Sequence, residues 1–319
     1  MPHAVSVIGL GVMGQRMLAS MAANRQFSVL SAWDPDAGAC DRTRELYPEI
    51  RIAGSAGDAI NDGGTGVVYI ACPPVWHKEY SVAAMQAGKA VYCEKPLGVD
   101  VAQSRGLVEQ AQAAGVVNIV NFSLASAAAV REVEKRLAAG SLGDFAGVDV
   151  RVHFSQWPRE WQIDAAAWLG FREQGGFARE VLSHWVYLTQ RLFGPVELRN
   201  AAVRFPDAAR TETHLVAELQ AGELPVSVAG SVGGVGPDLV EYTIWGSHQS
   251  CRIVDWNRLV TSNGGEWEPQ LTHIDDPRQL GYQLQLDNAA AAIAGASHSM
   301  PDFADALSVQ ILIEDMLAA

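Results

Sequence analysis

The chain has 319 residues, 49% of them hydrophobic, which is enough for two domains with ordinary cores. Its formal net charge of −13 argues against a polyanionic partner, so we expect it to bind no nucleic acid. No apolar run reaches about eighteen residues, so we expect no membrane segment.

The chain holds four cysteines, Cys40, Cys72, Cys93 and Cys251. No pair has C-x-x-C spacing and none has a His at metal-ligand spacing, so we expect reduced thiols and no metal site. Reduced thiols are typical of the cytoplasm, which is the location that we expect. A strand that begins at once at the N-terminus leaves no room for a signal peptide.

The first 34 residues follow the order strand, Gly-rich turn, helix, strand, acid. An apolar strand at 4–8 runs into Gly9-Leu10-Gly11-Val12-Met13-Gly14, a helix-like run at 15–24 follows, and an apolar strand at 27–33 ends in Asp34. This is the context in which G-x-G-x-x-G is a dinucleotide fingerprint. A Gly-rich turn without a ligand is the alternative, but the complete order favours cofactor binding.

Each glycine of the fingerprint has a mechanical reason. Gly9 permits the tight turn, Gly11 lets the backbone approach a pyrophosphate, and Gly14 lets the helix pack closely on the strand. Val12 and Met13 complete the expected loop, because N–H groups at a helix N-terminus can bind phosphates.

Asp34 indicates which dinucleotide binds. A carboxylate at this position accepts hydrogen bonds from a ribose 2′-OH and repels a 2′-phosphate. We therefore expect a preference for NAD(H), with NADP(H) as the alternative because Arg42 and Arg44 are near in sequence.

Strands and helices alternate up to about residue 120. Beyond the fingerprint, strands are predicted at 51–53, 66–72, 90–95 and 116–122, and helices at 35–46, after 55, at 76–87 and at 100–115. Such alternation predicts an α/β domain with a doubly wound parallel Rossmann sheet over residues 1–122. Ligands then bind at the carboxyl ends of the strands.

The pattern changes after residue 125. Helices are predicted at 127–139, 178–193, 279–294 and 302–317, strands at 145–154, 196–205, 213–220, 224–232, 240–245 and 251–256, and an irregular Trp-rich segment at 155–176. We expect a second, α+β domain over residues 123–319, with a large, mostly antiparallel open sheet.

Apolar positions on the strands of this second domain predict self-association. They include Leu215, Val226, Val228, Ile244 and Ile253. One face of the sheet can pack on this chain's own helices and the other on a second subunit. We therefore expect a homodimer or a homotetramer.

Two further clusters suggest chemistry. Glu94-Lys95-Pro96 ends the fifth strand, where the crevice of the sheet should lie. Glu180 and His184 are four residues apart on one predicted helix, which puts them on one face, and a carboxylate beside an imidazole is a sensible acid/base unit. A solvated lysine and a surface pair are the alternatives.

Taken together, the motifs resemble the Gfo/Idh/MocA family of glucose–fructose oxidoreductase and inositol dehydrogenase. Besides the Gly loop, the similar segments are Ala71-Cys72-Pro73-Pro74-Val75-Trp76-His77 to T-P-P-x-x-H, Val91–Leu97 to the E-K-P motif, Leu137–Asp144 to the opening of the second domain, Gly175–His184 to G-G-G-x-x-x-D-x-G-x-H, and Phe303–Leu307 to the start of a C-terminal helix. The resemblance implies that Cys72, Pro73, His77, Glu94 and Lys95 line the cofactor site. It also implies that Lys95, Glu180 and His184 are catalytic.

The chain departs from the family pattern in several places. Glu180 stands where the family usually has Asp, Leu182 replaces a Gly, Tyr187 stands where a second Asp is frequent, and Gln174 replaces the first Gly. The acid/base unit therefore keeps a carboxylate beside an imidazole, but the carboxylate is on a longer side chain. Trp161, Arg179 and Tyr187 are candidates for contact with the substrate.

These observations predict an enzyme that transfers hydride between NAD(P) and a carbinol or carbonyl of a sugar, polyol or related small molecule. Lys95 and His184 would handle the substrate oxygen, and Glu180 would orient His184. One alternative is a non-catalytic NAD(P)-binding regulator, which the same family includes. Another is an enzyme of the 3-hydroxyisobutyrate dehydrogenase type, whose opening loop is similar but whose second domain is all-helical.

Overall fold

A computed structural model describes the whole chain, Met1–Ala319. Its backbone contacts divide it into two compact units, residues 1–122 with 283–308 and residues 123–282 with 309–319. The main segment of the first unit ends at residue 122, and the sequence pattern changes after residue 125. Residues 283–308, which we had assigned to the second domain, belong to the first unit instead.

The first unit contains a parallel sheet of six strands in the order β3-β2-β1-β4-β5-β6. The strands are β1 (His3–Ile8), β2 (Phe27–Trp33), β3 (Arg51–Ile52), β4 (Val67–Ile70), β5 (Ala90–Cys93) and β6 (Asn118–Val120), and the helices are α1 (Val12–Ala22), α2 (Ala37–Leu46), α3 (Ala56–Ile60), α4 (His77–Gln86) and α5 (Val101–Ala114). This order confirms the predicted doubly wound sheet, in which β1 and β4 flank the switch point where ligands bind.

Local side chains define the ends of three of these helices. Asp36, Ser55 and Asp100 accept backbone N–H bonds at the starts of α2, α3 and α5. Each satisfies an N–H group that the helix itself leaves unpaired. Gly115 ends α5 in the left-handed conformation with φ +66°, which costs glycine little.

Side-chain amides attach residues 283–308 to the parallel sheet and its helices. Asn24 donates to Gln283 Oε1 and to Asp287 Oδ1, both at 3.0 Å. The N–H of Phe303 donates to Asn118 Oδ1 at 2.9 Å. These contacts join positions far apart in sequence, so local patterns did not reveal them.

The second unit contains a sheet of eight strands in the order β14-β13-β12-β11-β7-β10-β9-β8. The strands are β7 (Phe145–Phe154), β8 (Val196–Arg204), β9 (His214–Ala221), β10 (Leu224–Val232), β11 (Leu239–Gly246), β12 (Ser250–Val254), β13 (Arg258–Ser262) and β14 (Glu268–Pro269). All pairs are antiparallel except β7 with β10. The predicted mostly antiparallel sheet is confirmed, and the all-helical second domain of the alternative enzyme type is excluded.

Helices and irregular turns complete the second unit and the C-terminal region. They are α6 (Ala128–Ala138), α7 (Ala166–Leu169), a π-helical segment (Ala178–Leu182), α8 (Ser183–Phe193), α9 (Pro277–Ile293) and α10 (Phe303–Leu317). The sequence analysis missed β13 and β14, because two short strands among polar and glycine residues carry little periodic signal.

The structure corrects the argument for self-association. Leu215, Val226, Val228, Ile244 and Ile253 are all buried within this chain. They share one face of the sheet, because side chains alternate between the two faces of a strand. The opposite face carries mostly small and polar side chains, including Asp149, Arg151, Ser227, Ala229 and Glu241. These five apolar residues therefore supply no contact surface for a second subunit.

No helix is both long enough and apolar enough to cross a membrane.

Candidate active site

The Gly-rich loop after β1 has room for a ligand at one of its three glycines. A Cβ on Gly9 would lie 2.6 Å from the carbonyl carbon of Ala71, and one on Gly14 would lie 2.0 Å from the oxygen of Gly9. A Cβ on Gly11 would meet no atom within 4 Å. Gly11 precedes α1 without a side-chain cap. Two glycines therefore serve close packing, and the third leaves the helix N-terminus approachable, as a pyrophosphate requires.

Asp34 lies against this loop. Its Oδ2 accepts the N–H of Leu10 at 2.6 Å and its Oδ1 accepts the N–H of Asp36 at 2.8 Å. The carboxylate is half-buried at the carboxyl end of β2. The predicted acid and the predicted loop are therefore in direct contact, although they are far apart in sequence.

Three aromatic side chains lie near this end of the sheet, and the sequence analysis gave none of them a role. Trp33 packs edge-on against Tyr80, with ring centroids 6.3 Å apart. Tyr80 stacks with Trp76, with ring centroids 6.1 Å apart. Trp76 is 45% exposed. Trp33 precedes Asp34 directly, and Trp76 lies inside the T-P-P-x-x-H-like segment, so position in the motifs was the signal available.

His77 joins two of the motif segments. Its ring is buried, with Nδ1 2.8 Å from the carbonyl oxygen of Pro96 and Nε2 2.9 Å from that of Cys72. The imidazole therefore holds the end of β4 against the E-K-P segment. Burial raises the pKa of the Cys72 thiol to about 12, so this thiol stays protonated at neutral pH.

Glu94 points into the core of the first unit. Its Oε1 accepts bonds from the Tyr69 hydroxyl and, at 2.6 Å, from Asn121 Nδ2. The Tyr92 hydroxyl donates to Asn121 Oδ1 at 2.7 Å. Burial and the neighbouring Glu94 raise the pKa of Tyr69 well above its usual range. This network fixes the backbone that presents Lys95, which is half-buried at the end of β5.

Glu180 and His184 lie on one continuous helical stretch, but not on a regular α-helix. Glu180 lies in the π-helical segment, where the N–H of Ser183 donates to the oxygen of Ala178 five residues earlier. His184 lies in the first turn of α8. A π turn holds one residue more than an α turn, so the i,i+4 rule does not transfer unchanged. Such π segments are frequent at functional sites.

Trp256 packs against His184. The two rings are perpendicular, with their centroids 5.3 Å apart. The centroid of the Trp256 ring also lies 5.4 Å from that of Trp185. The sequence analysis placed Trp256 at the end of a strand. It lies instead in the turn after β12 with φ +73°, directly after Asp255 with φ +47°. Hydrophobic periodicity does not predict such a turn.

The three substrate candidates differ in their surroundings. Arg179 is buried and pairs with Glu314 at 2.6 Å. Tyr187 is buried, and its hydroxyl accepts a bond from Arg191 at 3.3 Å. Trp161 is 43% exposed, with the Arg159 guanidinium 4.6 Å above its ring. Arg179 and Tyr187 are therefore engaged within the chain, and Trp161 keeps an open side.

The same Trp-rich segment lines a cavity of about 540 Å³. Its walls include Trp168, Phe171, Arg172, Glu173 and Gln174. No group of His, Cys, Asp and Glu side chains is arranged to hold a metal ion.

Residues 4–122 match the family GFO_IDH_MocA, described as "Oxidoreductase family, NAD-binding Rossmann fold". This segment contains the Gly loop, Asp34, the His77 segment and the E-K-P motif. Over residues 4–122 the chain is therefore similar to the Gfo/Idh/MocA oxidoreductases, and the family resemblance noted in the sequence is confirmed for this segment.

Named relatives match parts of this chain. Inositol 2-dehydrogenase 3 of Saccharopolyspora erythraea is 32% identical over 145 residues, 44% of this chain and 41% of that protein. 1,5-Anhydro-D-fructose reductase of Ensifer adhaerens is 37% identical over 89 residues, 28% of this chain and 27% of that protein. The chain thus spans less than half the length of these relatives.

Solved structures share the fold of nearly the whole chain. The WlbA dehydrogenase of Bordetella pertussis, in complex with NADH and UDP-GlcNAcA, has a TM-score of 0.83 at 22% identity over 99% of this chain and 95% of that one. Biliverdin reductase of Synechocystis, in complex with biliverdin and NADP+, has a TM-score of 0.81 at 19% identity over 100% of this chain and 99% of that one. At these identities the likeness shows the fold alone.

Proposed function

We propose that the protein is a nicotinamide-dependent oxidoreductase. It transfers hydride between NAD(P) and a carbinol or carbonyl carbon of a sugar, a polyol or a related small molecule. The observation that carries the proposal is the loop at residues 9–14, where Gly9 and Gly14 are enclosed by backbone and Gly11 opens onto space. That loop lies in the segment that matches an oxidoreductase family.

The residues of the loop fit a dinucleotide. The backbone of Gly11, Val12 and Met13 would hold the pyrophosphate at the N-terminus of α1. Asp34 would accept hydrogen bonds from the ribose hydroxyls, so NAD(H) is the preferred cofactor and NADP(H) the alternative. When bound, the nicotinamide supplies or accepts the hydride.

Three side chains of the protein would handle the substrate oxygen. His184 would take or give the hydroxyl proton at a ring nitrogen, because imidazole changes its protonation near neutral pH. Glu180 would orient the ring. Lys95 would donate a hydrogen bond to the oxygen and stabilise the negative charge that develops there. The Cys72 thiol supplies no thiolate base, because burial raises its pKa to about 12.

The names of the relatives support the substrate class. They include an inositol dehydrogenase, an anhydrofructose reductase and a levoglucosan dehydrogenase. All three substrates are hydroxylated rings or closely related carbonyl compounds. Trp161 keeps the role of substrate contact, because an exposed indole face suits a sugar ring.

Fluorescence titration and a turnover screen test the proposal. NADH and NADPH are each titrated by nicotinamide fluorescence, and sugars, polyols and keto acids are then screened in both directions. We expect saturable NADH binding and turnover of at least one hydroxylated substrate. Absence of binding would overturn the proposal. Binding without turnover across the whole panel would favour the regulator instead.

We also propose that the chain forms a homodimer or a homotetramer. One face of the eight-stranded sheet stays open. On that face Val216 is 55% exposed and Trp245 is 36% exposed. The Trp245 indole N–H donates to Asp149 Oδ2 at 2.7 Å, which orders the side chain on the surface. An ordered exposed indole is typical of contact surfaces between proteins.

A further inference from the structure

We propose that Glu212 is a positioning residue that fixes the start of the helix on which Glu180 and His184 stand. Glu212 lies in the connection between β8 and β9 and is only 2% exposed. The roles of Glu180 and His184 rest on the proposed function. The contacts of Glu212 do not depend on it.

The helix begins without a cap of its own. Phe177 precedes the π-helical segment and makes no side-chain hydrogen bond to it. Glu212 supplies the missing acceptor from another part of the chain, because the N–H of Ala178 donates to its Oε1 at 2.7 Å. The first N–H groups of a helix lack intrahelical partners and carry partial positive charge, so an oxygen acceptor is favourable there.

The backbone of Gly176 packs closely against the same carboxyl group. Its φ of +110° lies in the left-handed region, which favours glycine. A Cβ at this position would lie 2.4 Å from Glu212 Oε2. The N–H of Glu180 donates to the oxygen of Gly176 at 3.0 Å, so the turn that encloses Glu212 is bonded directly to the proposed acid/base unit.

Arg179 holds the same turn through a second set of contacts. Its guanidinium pairs with both oxygens of Glu314, at 2.6 and 2.7 Å. It also donates to the backbone oxygens of Arg172 and Gly175, at 2.7 and 3.0 Å. The start of the helix is therefore fixed from two sides, by Glu212 at its first N–H and by Arg179 at its second residue.

The surroundings explain which property of Glu212 matters. Burial raises its pKa to about 7, against the lowering by the Ala178 N–H and Arg179, while Glu314 raises it further. A buried charge is costly, and an uncharged amide accepts the same hydrogen bond without that cost. The positioning role therefore rests on an acceptor oxygen at the end of a side chain of this length, which glutamine keeps and methionine lacks.

The pair Glu212→Gln and Glu212→Met isolates that oxygen. Hydrogen exchange of the segment 176–184 is measured at one pH, with turnover and dinucleotide affinity alongside. In Glu212→Met we expect exchange at least about tenfold faster and kcat lower by about 10–100-fold, with dinucleotide Kd within about threefold. In Glu212→Gln we expect both rates within about threefold of wild type.

Asp207→Ala is the matched control. Asp207 is an exposed carboxylate in the same connection, and its Oδ1 accepts the N–H groups of Ala209 and Arg210. Its removal should leave exchange of 176–184 and turnover unchanged. Equal effects of Glu212→Met and Asp207→Ala would overturn the proposal, because loop disorder would then explain both. Unchanged exchange in Glu212→Met would also overturn it.

A measurement on folded protein covers the case in which Glu212→Met does not fold. The amide proton of Ala178 is followed by NMR from pH 4 to 9. Its shift should titrate in wild type and stay constant in Glu212→Gln, because only the wild-type acceptor changes charge. A titration of the same size in Glu212→Gln would overturn the proposal, because the Ala178 amide would then not report on Glu212. Neither NMR nor exchange needs a substrate, so failure of the proposed oxidoreductase activity is seen separately.

Discussion

His184 stands in an environment that limits its motion. Its ring is buried on α8 and meets the indole of Trp256 edge to face. Trp256 keeps a left-handed backbone conformation, which is unusual for a bulky residue and is retained only where surrounding contacts enforce it. Its packing on Trp185 supplies such a contact. A fixed imidazole suits proton transfer, because a general base must stay within hydrogen-bond reach of its proton.

The first prediction at the residue scale concerns the proposed catalytic groups. His184→Ala should lower single-turnover hydride transfer by about 10²-fold or more, the usual scale of general acid–base catalysis. Lys95→Ala should do at least as badly, because it removes a charge and a donor from the developing oxyanion. Glu180→Gln should be milder, because it acts through His184.

Exposed residues of the same types supply the controls. His248→Ala and Lys135→Ala change exposed side chains and should leave the rate unchanged. Dinucleotide affinity should change little in His184→Ala and Glu180→Gln. A near-normal rate for His184→Ala across pH would show that His184 is not the base.

Cofactor choice is the second prediction at this scale. Asp34→Ser removes the carboxylate that would repel a 2′-phosphate, so the ratio of the Kd values for NADPH and NADH should fall by about tenfold or more. The ratio is the proper measure, because the substitution also removes the acceptor of the Leu10 N–H and should weaken both cofactors. Asp36→Asn, two residues away, should leave the ratio unchanged. Tighter binding of NADPH than NADH by wild type would contradict the expected preference.

The glycine loop separates packing from binding at the level of the element. Gly14→Ala places a Cβ 2.0 Å from the oxygen of Gly9 and should lower the free energy of unfolding by about 2–3 kcal/mol. Gly11→Ala adds a methyl group to open space at φ −70°, so the stability should be unchanged. The Kd for the dinucleotide should nevertheless rise by about tenfold or more, because the backbone can no longer approach a phosphate.

Urea unfolding and fluorescence titration of the two variants test this assignment. Unaltered dinucleotide affinity in Gly11→Ala would mean that no phosphate approaches the loop there.

Glu212, bonded at the start of the π-helical segment, should make the free energy of unfolding depend on pH. The folded-state pKa of Glu212 is about 7, above the usual value of 4.5 for a glutamate, because burial disfavours the charged form. Between these values the folded protein binds the proton more tightly than the unfolded chain does, so the free energy of unfolding falls as pH rises. We expect a loss on the order of 1–3 kcal/mol from pH 5 to pH 8 that Glu212→Gln does not show.

Urea unfolding of wild type and Glu212→Gln at pH 5 and pH 8 measures this difference. Other groups titrate in both proteins, so the comparison between the two curves isolates Glu212. Parallel pH dependence in the two proteins would contradict the assignment.

Self-association is the prediction for the whole molecule. Light scattering at micromolar concentration should give two or four times the chain mass of 34.2 kDa. If the open sheet face forms the contact, Trp245→Glu should weaken assembly by about tenfold or more, because a buried charge replaces an indole. Trp76→Glu changes a Trp of the first unit that is 45% exposed, against 36% for Trp245, and serves as the control. A monomer mass for wild type would rule out the homodimer and the homotetramer.

Local sequence signals determined the kinds of element, the parallel sheet and the Gly loop. The reason is that strands alternating with helices can be connected in only a few ways, and these give a parallel sheet. Capping residues such as Asp100 and Gly115 act within one turn, so their effect is visible in the sequence. The family resemblance extended the prediction to Lys95 and His184 as residues of the active site.

Only the tertiary structure decided the contacts between residues distant in sequence. The sequence alone indicated neither the approach of Glu212 to Ala178 nor the packing of Trp256 on His184, because each joins elements that no local period relates. The same holds for residues 283–308, which belong to the first unit and are joined to it by hydrogen bonds of side-chain amides. Which face of the second sheet is covered also depends on packing, and this is why the five apolar residues proved to be core.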